Sequence, residues 1–368
     1  MEQTEIRDAT LREALRAALT PALTPRRWRR LVDGEGDGGG DGGGAASRIG
    51  SLGARDLGER LGMGFAEATA LVRSLARADP ARELREARTA GVTIEDEYSQ
   101  RYPDGLLDLD DPPMVLFVRG GLLASDRSAV ALVGSRAASA YGLRIARTLA
   151  TDLARAGVTV VGGLARGIDA AAHEAALAAG GRTIAVLGSG LLEPYPPEHV
   201  DLLERIARQG AVVSEFPLHA PPARPNFPRR NRLIAALSRG TVVIESAARG
   251  GALSTVQHAL DLGRPVMAVP GPIDSQTSQG TLRMLRDGAE PVGSAQDIFT
   301  ALGWCTLGHD ELPDDERAVL EALPEGGGGA EEIASAVGMA VEVAAGLLVT
   351  LEVRGLVERG EGGRYVAR

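Results

Sequence analysis

The spacing of apolar side chains changes character twice along the chain. In residues 1–33, Leu11, Leu15 and Leu19 recur every fourth position, followed by Trp28 and Leu31, which is the period of one helical face. Residues 47–90 continue as short helical pieces around Leu52, Leu57, Leu61, Phe65, Leu71 and Leu75. From about residue 128 short, almost wholly apolar runs take over: Ala129–Val133, Val158–Val161, Thr183–Leu187, Ala211–Ser214, Thr241–Ile244 and Val266–Val269. Helical stretches separate most of them, at Tyr141–Ala156, Ala170–Ala179, His199–Gln209, Arg230–Leu237 and Thr255–Leu262. Strands without a polar face are buried on both faces, and their alternation with helices predicts a parallel sheet covered on each side. Right-handed crossovers make this an α/β fold, a Rossmann-like doubly wound parallel sheet. Beyond residue 309, Asp314–Leu323, Ala330–Val337 and Val341–Arg354 read as helices, and 355–359 with 364–367 as a hairpin, which together predict a winged helix. The expected domains are a helical N-terminal region (1–90), a Rossmann-like domain (91–303) and a winged helix (309–368).

Composition narrows the picture. Aromatics make up only 3% of the 368 residues, so the core must be built from Ala, Val, Leu and Ile. The glycine-rich run at 34–44 reads as a flexible insert. Glycines 50, 53, 58, 62 and 64 suit a helix-hairpin-helix DNA module or a plain helical appendage with glycine turns, and the absence of a strict motif favours the second. The single cysteine, Cys305 beside Trp304, excludes an intrachain disulfide and reads as a small apolar residue. No apolar run reaches the roughly 18 residues of a membrane span, and Met1–Glu13 is too charged for a signal peptide. A cytoplasmic protein with no membrane partner is expected.

A net charge of −9 at first argues against nucleic acid, but its distribution reverses that. Residues 309–368 hold thirteen acidic and five basic side chains, a net −8, so the rest carries about −1. Within 214–251 six arginines face only Glu215 and Glu245, a local +4. There is no lysine, so all cationic chemistry is guanidinium, a fork suited to phosphate.

Ligands of doubly wound sheets bind beyond the carboxyl ends of the strands. The residues there are Gly134-Ser135-Arg136, then Gly162-Gly163-Leu164-Ala165-Arg166-Gly167-Ile168-Asp169, then Gly188-Ser189-Gly190. Next come Asn226-Phe227-Pro228-Arg229-Arg230-Asn231-Arg232, Arg249-Gly250-Gly251 and Pro270-Gly271-Pro272. Glycine lets backbone N–H groups approach an anion, a following helix adds its positive end, and arginine adds a fork of donors. Repetition over several loops predicts phosphate binding rather than ordinary turns. Catalytic signatures are missing: no Walker lysine, no G-x-G-x-x-G opening the first helix of the α/β region, no G-x-S-x-G and no metal-like histidine spacing, so neither a catalytic residue nor a metal or cofactor is expected. His173, four residues after Asp169, is the best catalytic suspect, and a structural role is the more economical reading. Glu215 and Glu245 end successive apolar strands and suit either catalytic carboxylates or partners that orient arginines, the second being the more economical reading.

These motifs taken in order, with Tyr102-Pro103, Asp111-Pro112-Pro113-Met114 and Tyr195-Pro196, resemble the DNA-processing protein DprA (Smf) family over roughly residues 91–299. The resemblance implies a single-stranded-DNA-binding recombination mediator. It would protect incoming strands, dimerise and help load the RecA recombinase during natural transformation, without enzymatic turnover. On that reading Arg136, Arg166, Arg229 and Arg232 clamp phosphates. Gly134, Gly163, Gly167, Gly250 and Gly251 offer backbone donors, and Ser135 and Asn226 add polar contacts. Phe227 and Tyr195 stack on bases, Phe227 being equally suited to core packing. Two departures stand out: Pro197-Glu198-His199 replaces a basic residue and an asparagine, and Gly250-Gly251 replaces Ser-Gly. The rival is an enzyme, a nucleotide N-glycosidase of the phosphoribohydrolase type. Its loop needs a glutamate soon after the glycines, whereas none follows Gly251 before Asp261.

Overall fold

The computed structural model describes residues 2–33, 49–304, 313–324, 327–353, 356–360 and 363–367; the glycine insert and Cys305 lie outside them. Two compact units are present, Met1–Gly293 and Ser294–Arg368.

The first unit opens with helices α1 (Glu2–Ala18), α2 (Pro25–Asp33), α3 (Ala54–Leu61), α4 (Phe65–Arg77) and α5 (Pro80–Thr89). Prolines set two of these starts, since a proline in the first turn needs no N–H partner and is already at helical φ. A nine-stranded sheet follows, ordered β1-β2-β6-β5-β4-β3-β7-β8-β9. The parallel strands are β3 (Ala129–Val133), β4 (Thr159–Gly162), β5 (Thr183–Val186), β6 (Ala211–Ser214), β7 (Gly240–Val243), β8 (Val266–Ala268) and β9 (Glu290–Pro291). Every residue of β3 through β7 is buried, as their apolar sequences require. The helices between them are α6 (Ala140–Arg155), α7 (Ile168–Ala178), α8 (Val200–Gln209), α9 (Asn226–Ala236), α10 (Ala252–Asp261) and α11 (Gln279–Arg286).

Two features depart from the expected pattern. The sheet is mixed, because β1 (Val92–Asp96) and β2 (Val115–Gly120) add an antiparallel edge to β6. Helix α9 starts at Asn226, four residues before the position its periodicity suggests, because Pro228 falls in its first turn, where no intrahelical N–H bond is lost. The core is continuous from the N-terminal helices to one sheet face: Leu15, Trp28, Leu57 and Leu71 cluster with Phe117, Leu187 and Leu203.

In the second unit, after α12 (Ala295–Ala301), α13 (Asp314–Glu321), α14 (Ala330–Val337), α15 (Val341–Val353) and the hairpin β10 (Val357–Arg359) with β11 (Tyr365–Ala367) form the winged helix. Val319, Ile333, Leu348, Leu351, Val357 and Tyr365 are its core. Among the described residues no single helix is long and apolar enough to cross a membrane; α14 with most of α15 meets that test only as a pair bent by 110°.

Candidate nucleic-acid interface

The strand order reverses between β3 and β7, the usual ligand crevice of a doubly wound sheet. Here that crevice is filled from within. Glu245, buried at the end of β7, accepts hydrogen bonds from Ser139 N at 2.8 Å and Ser139 Oγ at 2.5 Å, just where α6 begins. Thr277 Oγ1 donates to the same carboxylate at 3.2 Å. The expectation that Glu245 orients an arginine is therefore corrected: it takes the positive helix end that an external anion would use.

The open pocket lies beside it, over β4 and β5. Arg136, Gly163, Ala165, Arg166, Tyr195, Pro196, Phe227 and Arg230 line it. Arg230 is its floor, 4% exposed. Its Nη1 donates to the Gly163 carbonyl at 2.8 Å and to the Val186 carbonyl. Burial pushes its pKa down to about 10, with Asp169 acting against that and Arg136 adding to it, so the side chain remains a cation at neutral pH. Gly163 is required for space, since a β-carbon there would collide with that guanidinium. Its own N–H is already committed to Asp169 Oδ2 at 2.8 Å, so its expected role as a backbone donor is corrected. Burial raises the Asp169 pKa, while Arg230 and the loop amides oppose that shift. Leu164 is held at φ 55 and Gly167 at φ 80, so the loop turns back sharply over the pocket edge.

At the mouth the cations are paired with rings. Arg136 sits over Phe227 with its guanidinium carbon 5.3 Å from the centroid, and Arg166 over Tyr195 at 5.9 Å. The two rings are tilted against each other, centroids 5.6 Å apart. The mouth thus offers guanidinium donors and aromatic faces together, the chemistry of phosphates and of unstacked bases. Beneath it, His173 is fully buried; its Nδ1 donates to Thr183 Oγ1 at 2.6 Å, and that hydroxyl donates to the Val160 carbonyl at 2.7 Å. Burial first, then Arg230 and His199, push its pKa down to about 3, so it is a neutral packing residue.

Comparison with known proteins places this geometry. The sequence model of DNA recombination-mediator protein A matches residues 93–303, and that of the DprA winged helix domain matches 306–363. The chain belongs to the DprA (Smf) family. It is 44% identical over 269 residues to the putative DNA processing protein DprA of Mycobacterium tuberculosis H37Rv, covering 70% of this chain and 69% of the relative. It is 45% identical over 237 residues to protein Smf of Escherichia coli K12, covering 62% and 63%. Among solved structures, DprA from Streptococcus pneumoniae superposes with a TM-score of 0.66 at 32% identity, covering 78% of this chain and 95% of that one. DprA from Helicobacter pylori, described for its single-stranded DNA binding mode, gives 0.52 at 28% identity over 57% and 95%.

Within this DprA-family site the other expected residues divide. Gly134, Ser135 and Gly167 lie behind the lining: Ser135 N donates to the Glu245 carbonyl at 2.8 Å, and Ile168 N to the Ser135 carbonyl at 3.2 Å. Asn226 starts α9, half-buried, next to Phe227. Arg232 is corrected outright. It is 4% exposed, and its Nη2 donates to Glu215 Oε2 at 2.5 Å, so it is an interior ion-pair partner rather than a phosphate clamp. Arg229 meets the same carboxylate at 2.9 Å from the surface, so the expectation for Glu215 agrees with its contacts. Gly250 and Gly251 precede α10 and do not line the pocket; Gly250 N donates to the Ala247 carbonyl at 3.1 Å. The residue that sequence reasoning passed over is Arg230. The one signal for it was its place in Arg229-Arg230-Asn231-Arg232, which does not say which of the three arginines turns into the pocket.

Proposed function

We propose that this DprA-family chain captures single-stranded DNA by its backbone phosphates in the Arg136–Arg166–Arg230 pocket. Bases would stack on Phe227 and Tyr195, each stack contributing about 1–3 kcal/mol. The observation that carries the reading is Arg230, a buried guanidinium whose hydrogen-bond partners among the described residues are two backbone carbonyls and the Asn231 amide oxygen, with no carboxylate, under two exposed arginines and two rings. A duplex hides its base faces, so the rings favour single strands. The Helicobacter pylori relative supports the assignment. The nearby carboxylates argue for binding without turnover: Asp169 braces the loop through Gly163 N and Glu198 is tied to Arg166. We further assign it the wider role of a cytoplasmic, homodimeric mediator that shields incoming strands and helps load RecA during natural transformation.

The test is a titration of labelled oligothymidylate against duplex of equal length across a salt series. Three neutralised phosphates give a log–log slope near −2, at about −0.7 per contact. A salt-insensitive affinity, or a preference for duplex, overturns the reading.

A further inference from the structure

We propose that Glu198 is an internal competitor for Arg166, holding the cation until a phosphate displaces it and thereby setting the affinity and salt dependence of strand capture. The inference rests on the pocket being the single-strand site. Of the three pocket cations, Arg166 is the one whose guanidinium has a carboxylate within hydrogen-bond reach among the described residues. Its Nε donates to Glu198 Oε1, whereas Arg230 donates to carbonyls and the Asn231 amide oxygen and Arg136 stacks on Phe227.

The pair is open to solvent, with side chains 52% and 46% exposed, and an exposed pair of this kind is weak enough to be exchanged. A phosphodiester carries the same single charge as the carboxylate and presents two oxygens to the fork. The turn that carries Glu198 cannot retreat far. Pro196 and Pro197 fix two consecutive φ angles before it. After it, His199 Nδ1 lies 2.9 Å from the Leu164 carbonyl, which ties the turn to the β4 loop. A displaced Glu198 therefore stays near the mouth and repels the incoming polyanion. The hydrogen bond with Arg166 also lowers the Glu198 pKa, so the competitor is ionised throughout the neutral range.

This exchange has a signature that a structural role lacks. In the native chain a phosphate reaching Arg166 releases a tethered carboxylate instead of a salt anion. In Glu198→Gln, Arg166 holds a salt anion that DNA then releases. Full-length wild type, E198Q, R166A and R166A/E198Q are compared by fluorescence anisotropy with labelled oligothymidylate over a salt series. E198Q is expected to bind about fivefold tighter at low salt, the scale of an exposed pair. Its log–log slope is expected to steepen, because an anion leaving Arg166 adds to the cations that the strand releases in both proteins. The gain is expected to shrink when Arg166 is already alanine. An E198Q protein that binds equally or more weakly, with an unchanged unfolding midpoint, overturns the proposal and makes Glu198 a positioning residue for Arg166. Failure of the pocket reading looks different: wild type then shows no salt-dependent single-strand binding, and R166A matches it.

Discussion

Two crevices lie side by side at the carboxyl ends of the strands, and the chain treats them oppositely. At the β3–β7 reversal the donors at the start of α6 are answered by the buried carboxylate of Glu245. Over β4 and β5 the guanidiniums of Arg136 and Arg230 hydrogen-bond to no carboxylate among the described residues; a ring, backbone carbonyls and the Asn231 amide oxygen are their contacts, and Asp169 acts on them through its charge alone. A helix N-terminus, a glycine turn and an arginine make an anion site only where the protein has not already supplied the anion. Helix α9 repeats the lesson within one turn. Arg230 and Arg232 are two positions apart, about 200° around the helix, so one faces the pocket and the other faces Glu215.

The largest effect should come from breaking an answered site. Arg232→Met leaves Glu215 buried with Arg229, at the surface, as its one remaining ion-pair partner among the described residues, and uncovering a buried charge typically costs about 3–5 kcal/mol. Urea unfolding should show a loss near the lower end of that range, about 3 kcal/mol, because Arg229 remains. Single-strand affinity of the folded fraction should stay within about twofold, since sites without shared partners act independently. Lost DNA binding at unchanged stability would return Arg232 to the pocket.

The division also explains what could be read from the sequence. Ala129–Val133 and its parallel neighbours announced themselves because burial on both faces leaves no polar position. The winged helix was readable because its turn glycines and apolar periods are local. Val92–Asp96 and Val115–Gly120 were not, because their place as an antiparallel edge depends on pairing with Ala211–Ser214, far along the chain. In the site, Arg136, Arg166 and Phe227 were readable from their glycine turns and their order. Arg230 and Glu245 were not, because their roles depend on partners brought in by the fold: Val186 lies 44 positions from Arg230 and Ser139 106 from Glu245.

Next in size is a pH effect beneath the pocket floor. The His173 pKa falls from 6.5 when unfolded to about 3 when folded. Between those values the unfolded chain binds one more proton, so stability is full above pH 6.5 and declines as pH falls. Each unit below 6.5 removes up to about 1.4 kcal/mol. Unfolding curves at pH 7, 6 and 5 check this against His173→Gln, which should decline less steeply. Equal slopes would mean that His173 does not carry the titration.

In the open crevice the effect moves from stability to binding. Arg136 is exposed, and its guanidinium rests on Phe227 with no hydrogen-bonded carboxylate among the described residues. Arg136→Ala should weaken single-strand binding about tenfold, equivalent to about 1.4 kcal/mol. The melting temperature should shift by no more than about 2 °C. A large fall in melting temperature with affinity preserved would make Arg136 another answered cation and erase the contrast between the two crevices.

The smallest effect is expected from the winged helix, the most acidic part of the chain. A winged helix that reads DNA sets its third helix in the major groove with cations near the phosphates. Here the solvent face of α15 carries Glu342, Val343, Gly346, Val349 and Glu352, while Ala344, Leu348 and Leu351 are buried in its own core. Residues 309–368 sum to −8, a field that repels a polyanion and leaves the unit better suited to contact protein. Deleting 309–368 should therefore leave single-strand affinity equal or about twofold higher. The gain should be greatest at about 0.01 M salt, where charges act over ~30 Å, and vanish near 0.15 M, where they act over ~8 Å. A truncated chain that loses most of its affinity while still unfolding cooperatively would make the winged helix a DNA-contacting unit despite its charge.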